Sequence, residues 1–345
     1  MIDEDYESAY CPFSIRNNKD DVVCLRGPDI RFGSATFFRA IGGFTMKKLG
    51  IALALGAMLT SSVAFAHQAT YFMPQVPNPD AMVIDGSSDD WGWIDPAFAI
   101  TPDLMYEILG SEWPPAKDDW DCVLYAAWSS APDNSLYYFA RVTDDSLGLF
   151  VENPQEYWKD DSLEIIIDPD HTSENFNETE MVSGQQYGIR VLPAAGQKDE
   201  WIFNVPEESI LWSTEEPFFV YRWTIDPADA KPLSQPAGST VTYTYEVKQA
   251  IWDTHDKTGP DGSARHNFAP DQIIGLTFQF DETENPEVGR EKQPGTTPVN
   301  GAFQDNSNGS DFITVPTEGA NGGTGGTGTA VEADSWGRLK ARMAN

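Results

Sequence analysis

Short apolar runs, broken repeatedly by turn residues and never sustaining a helical period beyond two turns before the chain's end, restrict what this sequence can fold into. Residues 123–129, 136–142, 163–167, 187–192, 200–205, 218–225, 240–247 and 273–280 read as strands rich in β-branched and aromatic residues. In 243–247, Tyr-Thr-Tyr-Glu-Val alternates well enough to leave one face wet. An aromatic content of 12% supplies large side chains for a core between two layers. The pattern predicts an all-β antiparallel β-sandwich, with jelly-roll or immunoglobulin-like layers, loop insertions and a flexible C-terminal tail. One such domain fits residues 67–316, after a Pro- and Asn-containing lead-in at 71–82.

The ends of the chain read differently. Met46-Lys47-Lys48 opens a charged segment, residues 49–65 are apolar, and Ala64-Phe65-Ala66 offers the small residues a signal peptidase requires. Residues 46–66 therefore read as a secretory signal cut before His67, and residues 1–45 as a leader upstream of the true start. Residues 1–66 hold seven acids and seven bases, so the net charge of −32 belongs to the rest of the chain. A chain so acidic excludes nucleic acid and anionic lipid as charge-driven partners. Cys122 alone remains after the cut, so no intramolecular disulfide can form. Residues 317–330 are a Gly/Thr-rich linker. The tail at 331–345 carries Arg338, Lys340 and Arg342.

Residues 157–170, Tyr-Trp-Lys-Asp-Asp-Ser-Leu-Glu-Ile-Ile-Ile-Asp-Pro-Asp, concentrate the chemistry. Trp158 stands among charged residues before a strand and reads as an exposed platform for a sugar ring. Strand alternation puts Glu164 on one face with Ser162, Ile166 and Asp168. Trp128, Trp223 and Trp252 sit in apolar runs and read as core, whereas Trp91 and Trp93 suit either a second platform or packing at a sandwich end. Glycoside hydrolysis needs two positioned carboxylates, and nothing in this acid-rich chain pairs two of them. The nucleophile-elbow, zinc-protease and phosphate-loop motifs are absent from the sequence. Asp168 and Asp170, with Glu174, Glu178 and Glu180 after them, offer hard oxygen ligands for calcium, as do Asp85 and the Asp89-Asp90 pair.

Four phrases then resemble one family in order. They are residues 83–91 (Val-Ile-Asp-Gly-Ser-Ser-Asp-Asp-Trp), 134–145, which include Leu136-Tyr137 and Asp144-Asp145, 157–170, and 274–281 (Ile-Gly-Leu-Thr-Phe-Gln-Phe-Asp). Together they resemble the carbohydrate-binding module family 9-like group of the DOMON-like β-sandwiches. The resemblance implies a secreted, non-catalytic module that binds an oligo- or polysaccharide between two aromatics, with structural calcium and a separate glycoside hydrolase or cell-surface component as partner. It maps the first aromatic onto Trp158 and, most nearly, the second onto Phe303, with Glu164, Gln279 and Asp305 as polar contacts. Residues 193–236 look like an insertion relative to the family. Related sandwiches bind haem for electron transfer, a reading that His67, Met73, Met82, Met105 and Met181 keep open, and an extracellular adhesion scaffold is a third. Mass spectrometry of the exported protein is expected to find His67 as its first residue; a product retaining Met46 would make the apolar run an anchor instead.

Overall fold

The computed structural model describes residues 14–16, 22–24, 69–151, 153–172, 184–191, 200–203, 210–230, 232, 239–285 and 287–317. Two compact units divide the chain, Met1–Val63 and Ala64–Asn345. In the first, the described residues form one antiparallel pair, β1 (Ser14–Arg16) with β2 (Val22–Cys24), in a leader that shows no strand periodicity. The signal segment, the tail and nearly all of the linker lie outside the described residues, as do Glu174, Glu178 and Glu180.

The second unit contains two sheets. The smaller runs in the order β10 (Phe219–Asp226), β11 (Val241–Gln249), β6 (Leu136–Asp144) and β5 (Trp120–Trp128), antiparallel throughout. The larger runs β3 (Thr70–Pro74), β16 (Asp311–Val315), β14 (Ile273–Asp281), β7 (Ser162–Asp168), β8 (Gln185–Ile189) and β9 (Glu200–Phe203). Two short strands extend it beside β14: β15 (Pro294–Gly295) pairs with β14 and with β4 (Tyr106–Glu107). A small separate pair joins β12 (Trp252–Thr254) and β13 (Ala264–Arg265). The sandwich is as expected, with one parallel pair in it, β3 with β16. That pairing turns part of the supposed lead-in into an edge strand.

Residues 193–236 contain strands of both sheets. They supply β9 and all of β10, whose eight residues pair in continuous register with β11.

Strand alternation fills the interior. Leu163, Ile165 and Ile167 of β7 and Leu276, Phe278 and Phe280 of β14 face the smaller sheet, all essentially inaccessible. Aromatic edges lock the layers: Tyr138 meets Phe278 at 5.2 Å and Trp120 meets Phe280 at 5.5 Å, both T-shaped. Such pairs add about 1 kcal/mol each beyond their buried area. Trp128 and Trp252 are buried as expected, and Trp223 is half-buried against the core. Met73 and Met105 also belong to this core. Cys122 is a free, buried thiol on β5.

The outer face of the smaller sheet is closed by residues 76–98. Here Trp91 is packing rather than platform. It is buried, stacks near Trp93 at 6.2 Å, and its indole N–H donates to Glu246 Oε1 at 2.8 Å. The backbone N–H groups of Asp85 and Gly86 donate to Glu246 Oε2 at 2.8 and 2.7 Å. Gly86 has φ +87°, and a Cβ there would lie 2.7 Å from the Trp223 carbonyl carbon, so the turn requires glycine. Glu246→Ala would leave three N–H groups without their acceptor and is expected to cost about 3 kcal/mol in urea unfolding. Glu246→Gln, which keeps one acceptor oxygen, is expected to cost less.

Candidate functional site

The alternation that buries Leu163 and Phe280 on one face puts Ser162, Glu164, Thr277, Gln279 and Asp281 together on the other. Glu164 pairs directly with Gln279, and Ser162 with Asp281. This face is itself covered, so all five side chains are buried. The cover comes from the turn at Pro154–Lys159 and from the loop after β14. Tyr157 lies flat over Gly188 of β8, where a Cβ would come within 2.3 Å of the phenol ring. The glycine is what lets the turn sit down on the sheet. It leaves the next residue, Trp158, 38% exposed at the rim.

Beneath that indole a charged cluster closes on itself. Arg290 Nη1 donates to Asp281 Oδ1 at 2.8 Å and lies 3.4 Å from Glu164 Oε1. Ser162 Oγ donates to Asp281 Oδ2 at 2.7 Å, Gln293 Nε2 to Asp281 Oδ1 at 3.1 Å, and Gln186 Nε2 to Glu164 Oε2 at 3.2 Å. Burial pushes the Glu164 carboxyl well up, and the neighbouring Asp281 pushes it further against the pull of Arg290. Asp281 is raised too, by burial. The guanidinium carbon stands 5.5 Å from the centre of the Trp158 ring, and Lys159 Nζ stands 5.1 Å from it. Gln279 is fully buried with both amide atoms lacking a hydrogen-bond partner.

Of the sequence-predicted contacts, Trp158, Glu164 and Gln279 therefore occupy one region, the acid and the amide as floor rather than surface. Phe303 is half-buried and Asp305 sits in the same turn, whose Gln304 and Asp305 N–H groups both donate to the Gly301 carbonyl. Asp305 spends one carboxylate oxygen on the Ser307 N–H at 2.9 Å, capping the turn at Asn306–Asn308. Arg290, Asp281, Gln186 and Tyr157 were not singled out from the sequence as site residues. The only available signal for Arg290 was a base inside an acidic loop.

A second acidic centre lies one residue further along the same strands, where Asp161 precedes Ser162 and Glu282 follows Asp281. Asp144, Asp161 and Glu282 are buried there. Asp161 accepts from the N–H groups of Gly148 and Thr283, and burial followed by the charge of Asp144 raises its carboxyl strongly. Burial pushes Glu282 up to about 7 despite Lys292. Its Oε2 accepts no hydrogen bond, with Lys292 Nζ 3.4 Å away. At the surface beside it, Asp119, Asp145 and Glu284 bring carboxylate oxygens within 4.8 Å of one another. They form the one such trio among the described residues.

The calcium candidates read from the sequence lie elsewhere. Asp168 and Asp170 both hydrogen-bond Thr172, and Asp85 is in the turn that Glu246 holds against the smaller sheet. Asp85 therefore does not share a site with the other two.

Residues 84–205 match a family described as carbohydrate family 9 binding domain-like. Over those residues the chain is similar to that family. The matched stretch begins in the Asp85-Gly86 turn and includes Trp158 and Glu164, while Asp281 and Arg290 lie beyond it. No curated protein matches the chain. Among solved structures, it is similar to a carbohydrate binding module family 9 from Caldicellulosiruptor kristjanssonii in complex with cellotriose. That likeness has 16% identity, a TM-score of 0.45, and covers 75% of this chain and 100% of the other. The same module in complex with glucose matches with 16% identity, a TM-score of 0.45, and 74% and 100% coverage. A putative carbohydrate-binding protein from Bacteroides uniformis matches at 7% identity with a TM-score of 0.41, covering 72% of this chain and 99% of that one.

Proposed function

We propose that this family 9-like domain binds carbohydrate without transforming it, stacking a sugar ring on Trp158. The exposure of that indole above a buried, hydrogen-bonded polar floor is the observation that carries the reading. A flat aromatic at a rim buries a ring's apolar C–H face, while Arg290 and the groups beside it can bond hydroxyls. Phe303 is the second wall we propose, and Glu164 acts by holding Arg290 in place. A secreted setting and cooperation with a separate glycoside hydrolase complete the proposal, supported by the signal-like segment and by the family. Removing the indole deletes on the order of 100 Å² of contact, so Trp158→Ala is expected to weaken glycan binding by about 2 kcal/mol, roughly 30-fold, in calorimetric titration. Unchanged affinity would place the sugar elsewhere.

Calcium fits the second acidic centre better than the turn at Asp168. Three buried carboxylates with a single lysine close by are short of positive charge, and hard oxygen donors suit this ion. The Asp119–Asp145–Glu284 trio, whose oxygens already lie within 4.8 Å of one another, would supply its first ligands, with Asp144, Asp161 and Glu282 as the buried acids behind them. In the metal-free protein, Glu282 favours its protonated form, so the stability it contributes is full below 4.5 and lost as pH rises through about 7. Calcium reverses that trend by stabilising the ionised carboxylates. Added to chelator-stripped protein, it is expected to raise the melting temperature by about 5 °C at pH 7.5 and by much less at pH 5. An equal rise at both values would locate the ion away from Glu282.

A further inference from the structure

The charges around Trp158 run against the rest of the molecule. The chain has 54 acidic and 22 basic residues, yet two of the three cation–π contacts among the described residues converge on this one exposed ring. Arg290 is anchored through Nη1 alone, which serves Asp281 and Glu164. Its Nε and Nη2, the side-on edge of the guanidinium fork, carry no hydrogen bond to the described residues. That edge has the geometry for two parallel bonds to one carboxylate. Lys159 Nζ meets Glu156 at 2.7 Å and its side chain is 34% exposed, so its remaining donors reach solvent.

A neutral sugar settling on this ring competes with cations already resting there and offers them only hydroxyl oxygens. A carboxylated sugar leaves the cations in place and pairs with them. We propose that the Trp158 platform is specific for acidic glycans, taking a uronic acid residue whose carboxylate is bound by the free edge of Arg290 and by Lys159. The proposal rests on the reading of Trp158 as a glycan platform and adds the class of sugar. The acidic body repels a polyuronate everywhere else, which confines binding to this patch.

The test is calorimetric titration of the full-length protein with matched oligosaccharide pairs sharing one backbone: cellotriose against its C6-carboxylated counterpart, and xylotriose with and without a glucuronosyl branch. The carboxylated member of a pair is expected to bind about 10-fold more tightly at low salt, with the advantage shrinking as salt is added. Arg290→Gln and Lys159→Gln should each reduce that preference, weakening the carboxylated member more than the neutral one. Lys159 is a surface side chain, so its variant tests the idea even if loss of Arg290 disturbs the fold. Neutral and acidic sugars binding equally, with Trp158→Ala weakening both, would overturn the acidic preference and leave the platform standing. Binding of neither class would overturn both.

Discussion

The antiparallel register of β7 on β14 is the constraint from which the rest of this unit follows. Seven pairs, from Ser162 with Asp281 to Asp168 with Gly275, put every odd residue of β7 on the same face as an even residue of β14. One face is then wholly apolar and closes the sandwich. The other collects Gln279, whose amide has no hydrogen-bond partner, and Glu164 and Asp281, which have to be satisfied by something laid over them. The Tyr157 turn, Arg290 and Gln293 are that cover. A slip of one residue would turn Leu163 and Ile165 outward and the acids into the core. The core and the candidate site are therefore two consequences of a single pairing.

Because the alternation within each strand is local, the strands themselves could largely be read in the sequence. β-branched runs marked β6, β7, β11 and β14 to within about two residues and β5 to within about three, since burial on one face forces alternation wherever a strand forms. The Asp85-Gly86 phrase also proved structural for a reason that can be stated: the turn needs a left-handed glycine and presents two N–H groups to Glu246. β3 was hidden because it holds its place by pairing with β16, some 240 residues away, and its own residues end at Pro74. The stretch at 193–236 read as an insertion by family length, although residues 218–225 within it alternated as a strand. The pairing with β11 shows that this strand is part of the smaller sheet.

The site was legible only in part, and the division follows sequence distance. Trp158 could be picked out because charged neighbours at Glu156, Lys159 and Asp160 make burial of the indole improbable. Glu164 could be placed on its face by counting. Arg290 could not, because its value depends on a contact 126 residues away that exists only when the loop after β14 folds back. The calcium candidates show the same limit. A sequence reveals acids close in number, such as Asp168 and Asp170, whereas Asp144, Asp161 and Glu282 come from three separate strand ends.

That returning loop ties the two centres together. Arg290 and Lys292 stand two residues apart in it, the first reaching Asp281 and Glu164 and the second Glu282 and Asp119. Its course is pinned where Glu282 and Lys292 bridge and where Glu291 accepts the N–H groups of Glu284 and Asn285. Each of these two adjacent clusters thus has more buried carboxylate than base and receives one cation from the same short segment. A metal ion entering among Glu282 and its neighbours would weaken the demand on Lys292 and so bear on the segment that also carries Arg290. The acidity of this domain is then not merely a solvated coat: at its two buried clusters it sets where cations must come from, and at the Trp158 rim the cation supplied by the protein is left with an edge to share.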